Sequence, residues 1–481
     1  MAAAQGGGSG LARPCELRRG TPTSASAAHG TTLNPHNPYV RRNLHPGQVV
    51  AVAFAGAIGV GTLLLSLPWA VTGGRTSAPM DALFTATSAV CVTGLTVVDT
   101  STYWSTFGQV VIMLLIQVGG LGIMTLATLT ALLLAHRLGL RGRLIAQVEG
   151  KMLSPGDVRR VIVRIAWFSV ISELAIATVL TWQLAIRHDE SLSQAVYHGL
   201  FHAVSSFNNA GFSTYSQNLV PFAGDPVFLL TISAAVIVGG LGFPVVFELL
   251  RGWRRPSAWS VLTRVTVFVT VALLVIGTVV IGIAELTNPL TMEGYGLGKG
   301  GVLAFFTAVQ PRTAGFNAVN IGEMRQETLF FTDLLMFIGG GSAGTAGGIK
   351  VTTFGVLVYV VWSQARGEAH VNVGRRRIPT ATQRQAVSLT LIAMGLLGVA
   401  TFVLLAITRF PFEAVLFEAI SAFATVGLST GITPVLPVDA QLVIVLLMFV
   451  GRVGPLTVAS ALALRQKQQR HTLPEERMIV G

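Results

Sequence analysis

The chain has 481 residues, 52% of them hydrophobic and only 11% charged, with a mean hydropathy of +0.66. Soluble domains carry about 25% charged residues, so this composition argues against a soluble enzyme, a nucleic-acid-binding protein or a disordered chain, and its 53 glycines lack the three-residue period of collagen. The net charge of +12 comes mostly from arginine and reads as charge sorting across a bilayer.

Residues 1–46 are rich in Ala, Gly, Ser, Thr and Pro, carry Arg13, Arg18, Arg19, Arg41 and Arg42, and lack the apolar core of a signal peptide. They cannot bury enough apolar surface to fold alone and are expected to form a disordered cytosolic tail. Cys15 lies in this tail and Cys91 in an apolar segment, which gives no disulfide framework and no metal site.

Eight apolar stretches follow, near 48–70, 106–135, 161–186, 226–250, 262–285, 329–362, 386–409 and 440–464. Each is long enough to cross about 30 Å of hydrocarbon as a helix. Basic residues crowd alternate connections: Arg137, Arg141, Arg143, Lys151, Arg159, Arg160 and Arg164; then Arg251, Arg254, Arg255 and Arg264; then Arg366, Arg375, Arg376, Arg377 and Arg384. The connections between them are acidic or near neutral, with Asp81 and Asp99 against Arg75, and Asp189, Glu190 and Asp225 against Arg187. The basic connections and both termini are therefore assigned to the cytoplasm, and an even number of spans agrees.

The outer connections conceal a repeat. Each holds a short apolar run ending in one glycine: Phe84-Thr-Ala-Thr-Ser-Ala-Val-Cys-Val-Thr-Gly94, Phe201-His-Ala-Val-Ser-Ser-Phe-Asn-Asn-Ala-Gly211, Phe305-Phe-Thr-Ala-Val-Gln-Pro-Arg-Thr-Ala-Gly315 and Phe417-Glu-Ala-Ile-Ser-Ala-Phe-Ala-Thr-Val-Gly427. Leu95, Phe212, Phe316 and Leu428 follow the glycines, then Thr96, Ser213, Asn317 and Ser429 one residue further on. A second glycine motif recurs in the following spans: Gly119-Gly-Leu-Gly122, Gly239-Gly-Leu-Gly242, Gly339-Gly-Gly341 and Gly451-Arg-Val-Gly454. A single glycine after a short helix is ordinarily a C-terminal cap. Four copies in the same setting define instead a unit of span, half-helix, glycine turn and span. The units are placed at 47–135, 136–255, 256–364 and 365–464, followed by a cytosolic tail at 465–481. The expected fold is an all-α polytopic membrane protein with four span–pore-helix–span repeats around a pseudo-fourfold central pore.

Non-helical backbone at membrane depth survives only where protein or water covers it. Four half-helices meeting on one axis would line a narrow passage with peptide carbonyls, which can replace a cation's hydration shell, and their C-terminal ends favour a cation below. The candidate lining is Val92, Thr93, Gly94 and Leu95; Asn209, Ala210, Gly211 and Phe212; Thr313, Ala314, Gly315 and Phe316; and Thr425, Val426, Gly427 and Leu428. Divalent ions would call for carboxylates, and the turns contain none. The reading is a monovalent cation pore, with K⁺ first and Na⁺ second.

Two features mark candidate gates. Gly339-Gly-Gly-Ser-Ala-Gly-Thr-Ala-Gly-Gly348 puts six glycines in ten residues of the sixth span. Each costs about 1 kcal/mol relative to alanine, so the helix is expected to break. The alternative is close helix packing, the reading adopted for Gly119-Gly120 and Gly239-Gly240. Gly340, Gly341, Ser342, Ala343, Gly344, Thr345, Ala346, Gly347 and Gly348 form this candidate gate. Lys350 at its inner end either belongs to it or snorkels to the interface. Arg452, deep in the eighth span where the other repeats carry Gly120, Gly240 and Gly340, is either a positive barrier beside the pore or half of an inward ion pair with Glu173 or Glu418.

Ser88-Ala-Val-Cys-Val-Thr-Gly-Leu95, Phe207-Asn-Asn-Ala-Gly-Phe212, Arg312-Thr-Ala-Gly-Phe316, Ala422-Phe-Ala-Thr-Val-Gly-Leu428 and the tail Pro474-Glu-Glu-Arg-Met-Ile-Val-Gly481 carry a resemblance. Over about residues 45–481 the chain resembles the membrane subunit of the Trk/Ktr/HKT superfamily of K⁺ transporters, and within it the KtrB type. The resemblance implies a plasma-membrane homodimer with one pore per subunit and the C-terminal tail at the dimer interface. It also implies a cytosolic ring of KtrA-like regulatory subunits binding ATP or ADP, a glycine-rich intramembrane loop as gate, and an arginine below the filter. The long N-terminus departs from the family pattern. Membrane lipid is the remaining partner; neither nucleic acid nor an organic cofactor is expected. A secondary transporter of an organic solute with broken helices is the alternative. No catalytic constellation supports an enzyme.

Overall fold

Proline and glycine set the boundaries of the helices. The computed structural model describes residues 46–136, 155–374 and 376–454. Apart from Pro46, the expected N-terminal tail lies outside them, as do the C-terminal segment 465–481, Cys15 and the basic stretch 137–154. Within the unit Leu44–Gly481 the described helices are α1 (Pro46–Leu65), α2 (Pro79–Cys91), α3 (Thr106–His136), α4 (Pro155–Arg187), α5 (Leu192–Phe207), α6 (Pro226–Leu241), α7 (Phe243–Gly252), α8 (Val261–Glu285), α9 (Gly296–Val309), α10 (Gln326–Phe337), α11 (Val351–Ala365), α12 (Thr380–Ile407), α13 (Phe412–Ala424) and α14 (Val438–Val453). Four of them open on proline, whose missing N–H is no loss in a first turn. The Asp225 carboxylate caps α6 by accepting from the Val227 and Phe228 amides, and Ser260 caps α8 through the Thr263 amide.

Among the described residues, Gln48–Leu65, Arg159–Arg187, Val261–Glu285 and Thr380–Ile407 are long and apolar enough to cross a membrane; α6 with α7 makes a fifth, bent pair. Their outer faces stay apolar and open: Leu63, Phe268, Ile283 and Phe402 are each more than two-thirds exposed. So much exposed hydrocarbon is tolerable against lipid and not against water.

The four short runs that lead into the repeated glycine turns are helices α2, α5, α9 and α13, of 13, 16, 14 and 13 residues. At 1.5 Å per residue they reach about 20–24 Å, short of a full crossing. They form the interior: Phe84, Phe201 and Phe417 are fully buried at the shared register. In the third repeat Phe306 takes the buried place and Phe305 is only partly covered, so the phenylalanine register slips by one residue there.

Two expected spans are not single helices. The fourth turns by 103° between α6 and α7. Gly242 sits at φ 89°, and Pro244 has no N–H for the Gly240 carbonyl four residues back. The sixth is interrupted between Phe337 and Val351, as its glycines predict, and a parallel bridge from Ile338 to Ile349 draws the ends of the interruption together. Helix α14 closes at Gly454, φ 95°, and the rest of the expected eighth span lies outside the described residues. One small departure from all-helix structure lies in the connection after α11, where Asn372 pairs with Arg377 and Val373 with Arg376 in a two-residue antiparallel ribbon.

Candidate functional site

The backbone repeats at the ends of the four half-helices. Val92, Asn209, Thr313 and Thr425 take φ of 56°, 60°, 66° and 51°, and two residues later Gly94, Gly211, Gly315 and Gly427 take 96°, 71°, 76° and 93°. The glycines do so freely. A left-handed Val or Thr costs about 1–2 kcal/mol and persists only where its surroundings impose it. Here they do: Thr93, Ala210 and Val426 donate their amides to the Ser88, Ser205 and Ser421 carbonyls at 2.7–2.8 Å. The same serines brace the turn from behind. Ser88 and Ser421 hydroxyls accept the Gly94 and Gly427 amides at 3.1 Å, and Ser205 donates to the Phe212 carbonyl at 2.8 Å. The third repeat has no serine there and uses the Gln310 carboxamide, which accepts the Phe316 amide at 3.2 Å.

The turns close a ring. A methyl group added to Gly94 would stand 3.1 Å from the Gly211 α-carbon and against the Ala210 carbonyl oxygen. One on Gly211 would stand 3.0 Å from the Gly315 α-carbon and 2.7 Å from the Ala314 carbonyl oxygen. From Gly315 the neighbours are the Gly427 α-carbon, at 3.0 Å, and the Val426 carbonyl; from Gly427 they are the Gly94 α-carbon, at 3.0 Å, and the Thr93 carbonyl. Each turn thus meets the next in chain order and the fourth returns to the first. The carbonyls of Thr93, Ala210, Ala314 and Val426 enter this ring, with Leu95, Phe212, Phe316 and Leu428 buried beside it. The hydroxyls of Thr93, Thr313 and Thr425 are buried without a hydrogen-bond partner in the protein. A set of neutral oxygens with unfilled bonding capacity fits a monovalent cation passing through as cargo.

One side of the ring opens into a cavity of about 650 Å³, with Gly94, Gly211, Asp99, Asn218 and Asn317 in its wall. Partial burial pushes the Asp99 carboxyl up, but hydrogen bonds from the Ser101 hydroxyl and amide, each 2.8 Å, outweigh it and hold the group below the usual carboxylate range.

On the other side lies the glycine-rich interruption. Its Gly341 amide donates to the Gly240 carbonyl at 2.8 Å and its Thr345 amide to the Gly239 carbonyl at 3.2 Å. Phe243 opens a new helix and Pro244 has no N–H, so both carbonyls are free for the loop. The Thr345 hydroxyl donates to the Asn209 carboxamide oxygen at 3.0 Å, and a side chain on Gly347 would collide with Thr425. The loop therefore touches the turns of the second and fourth repeats. Three cationic side chains donate to its carbonyls: Arg312 to Gly339 at 3.0 Å, Arg452 to Thr345 and Lys350 to Ala346. Arg452 also reaches the Gly119 carbonyl at 3.3 Å.

Neither proposed acidic partner of Arg452 meets it. Glu173 accepts from Ser169, Gln117 and Asn208 at 2.7–3.1 Å, and Glu418 from Ser429 and Thr433. Carbonyl dipoles hold the guanidinium instead. Lys350 folds back onto the loop rather than out to the interface. Gly119, Gly239 and Gly451 are packing positions: an added methyl would run into the backbone of Val90, Phe207 and Phe423 at the ends of the half-helices. Arg312 was not among the expected site residues, although it too is buried, at 6% exposure. The signal was available, since a charge beside Thr313 at membrane depth invites the argument applied to Arg452.

Known proteins resemble this chain along most of its length. The TrkH family, described as a cation transport protein, matches residues 23–471. The Ktr system potassium uptake protein B of Bacillus subtilis is 40% identical over 91% of this chain and 97% of its own length. The potassium/sodium uptake protein NtpJ of Enterococcus hirae is 34% identical over 92% of this chain and 98% of its own. The crystal structure of the potassium transporter TrkH from Vibrio parahaemolyticus shares the fold, with a TM-score of 0.70 at 17% identity over 90% of this chain and 87% of that one. A matched profile over nearly the whole sequence, full-length relatives and a shared fold place this chain in the TrkH family of cation transport proteins.

Proposed function

We propose that this protein is the ion-translocating subunit of a K⁺ uptake system. The observation that carries the reading is the closed ring of Gly94, Gly211, Gly315 and Gly427, which brings four peptide carbonyls from four distant chain segments to one place. A dehydrated alkali ion is the cargo such oxygens serve, and the names of the relatives point to K⁺, with Na⁺ second. The proposed filter is the set of turns Val92–Leu95, Asn209–Phe212, Thr313–Phe316 and Thr425–Leu428. The ion then meets the loop 339–350, held shut by Arg452, Arg312 and Lys350. Positive charge there opposes cation passage until the loop moves. In this reading the Asp99 side faces outward, and the basic connections and both termini face the cytoplasm. The chain would pair as a homodimer in the plasma membrane, on a nucleotide-binding regulatory ring that moves the loop. The test is growth on low K⁺ of a bacterial strain lacking K⁺ uptake, supplied with this chain and a matched regulatory subunit. Rescue is expected, and failure despite membrane insertion would reject the assignment.

A further inference from the structure

Helix α7 is the product of the 103° turn at Gly242, so if α6 crosses the bilayer, α7 runs nearly along its surface. It meets the N-terminal part of α4 around a cavity of about 370 Å³ walled by Val161, Arg164, Phe243, Pro244, Phe247 and Arg251. The wall is hydrocarbon throughout, so the two exposed arginines line it with their stems and carry their charged heads beyond it. Among the described residues no carboxylate lies within ion-pair distance of either. Trp253, 66% exposed just beyond α7, marks the headgroup level where tryptophan side chains collect. Both arginines lie on the face that the charge distribution assigns to the cytoplasm.

We infer that this groove is a binding site for an anionic phospholipid, its phosphate on Arg164 and Arg251 and an acyl chain along Phe243 and Phe247. A free phosphate would gain the guanidiniums but not the floor; a neutral lipid would gain the floor and leave two cations unmatched. The site adjoins the loop beneath the ring. A methyl group on Gly242 would meet the Ser342 carbonyl and stand 3.2 Å from the Gly344 amide, so the angle of α7 and the seat of the loop share one residue. A bound lipid braces that angle. This link to the loop rests on the function proposed above; lipid binding itself does not.

The test measures retained lipid and flux separately on the full-length protein. Native mass spectrometry after reconstitution in phosphatidylcholine with phosphatidylglycerol should find phosphatidylglycerol bound. One juxtamembrane arginine is worth about fivefold in affinity, so Arg164→Gln with Arg251→Gln should weaken retention about thirtyfold. Phe247→Ala should weaken it with the charge intact, and Arg254→Gln with Arg255→Gln should leave it unchanged. Unaltered retention in the Arg164/Arg251 variant, or an equal loss in the control pair, would overturn the site. So would displacement of the lipid by inorganic phosphate, because the groove would then be a simple anion site. Cation flux in vesicles should depend on phosphatidylglycerol in the parent and not in the Arg164/Arg251 variant. Retention lost with an undiminished lipid response of flux would sever the link to the loop. Retention as expected with no flux under any condition would count against the transport reading alone.

Discussion

At the scale of single residues, the four glycines and Arg452 make the sharpest claims. Gly315 combines φ 76° with a Cβ position 3.0 Å from the Gly427 α-carbon, so a side chain there strains its own backbone and displaces the next turn. Gly315→Ser should therefore degrade K⁺/Na⁺ discrimination by about tenfold, the equivalent of about 1.4 kcal/mol. Competitive uptake of the two ions checks this, and unchanged discrimination would remove the turn from the filter. Arg452 is a different case. Taken at about 8 Å from the proposed ion path, a unit charge at an effective dielectric constant near 20 would raise the barrier by about 2 kcal/mol. Arg452→Ala should raise flux up to about thirtyfold, whereas Arg452→Lys keeps the charge and should stay near the parent. Equal rises in both variants would mean that the guanidinium acts through its contacts with Thr345 and Gly119 and not through its charge. Asp99 adds a pH dependence with a definite sign. Hydrogen bonding holds its folded pKa below the usual carboxylate range, so the anion persists as pH falls from 7 to 5 and is neutralised only below the ordinary carboxylate pKa. A charge about 10 Å from an incoming cation is worth about twofold in local concentration in water. Asp99→Asn should thus double KM for the cation at low salt, and the parent should show no such change between pH 7 and 5; a rise in the parent over that range would contradict the assignment.

At the scale of elements, the breaks in the helices matter as much as the helices. Spans and half-helices were legible because apolar length and a repeated glycine are properties of one segment at a time. The interruption of the sixth span was legible too, from its six glycines. The bend of the fourth was not: Gly239-Gly240 suggested packing, which Gly239 indeed provides against Phe207, and nothing in that segment says where its freed carbonyls will bond. Their partners, Gly341 and Thr345, lie about a hundred residues away. Likewise the left-handed Val92, Thr313 and Thr425 contradict local preference and follow only from the surrounding hydrogen bonds. Pro244 tests the coupling between the two breaks. Pro244→Ala restores an N–H that competes for the Gly240 carbonyl now held by the Gly341 amide. Losing one such bond is worth about 1 kcal/mol, so the loop should release about fivefold more often and the resting cation leak should rise by that factor in vesicles without regulatory subunits. An unchanged leak would uncouple the bend from the loop.

At the scale of the whole molecule, the ring joins parts of the chain more than a hundred residues apart, which is why its closure could be expected from the repeat but measured only in three dimensions. The repeat supplies four similar turns and leaves them unequal where it matters. The second offers Asn209 to the loop, the third sets Arg312 behind its turn, and the fourth replaces a glycine by Arg452. In the proposed reading, a ring of similar turns for the ion and an uneven floor for the gate come from one unit copied and then altered. Which side the proposed gate faces depends on how this body sits in the membrane, and there the charge argument gives a definite expectation. Gln217, exposed in the wall of the cavity above the ring, and Ser257, exposed in a basic connection, should face opposite sides. In a protein with Cys15 replaced, Cys91 is buried and should react little with a charged thiol reagent. Gln217→Cys should then be labelled from outside intact cells, and Ser257→Cys only after the membrane is opened. The reverse pattern would turn the protein over, placing Asp99 and the wide cavity on the cytoplasmic side and the loop on the outer side, against the orientation proposed above.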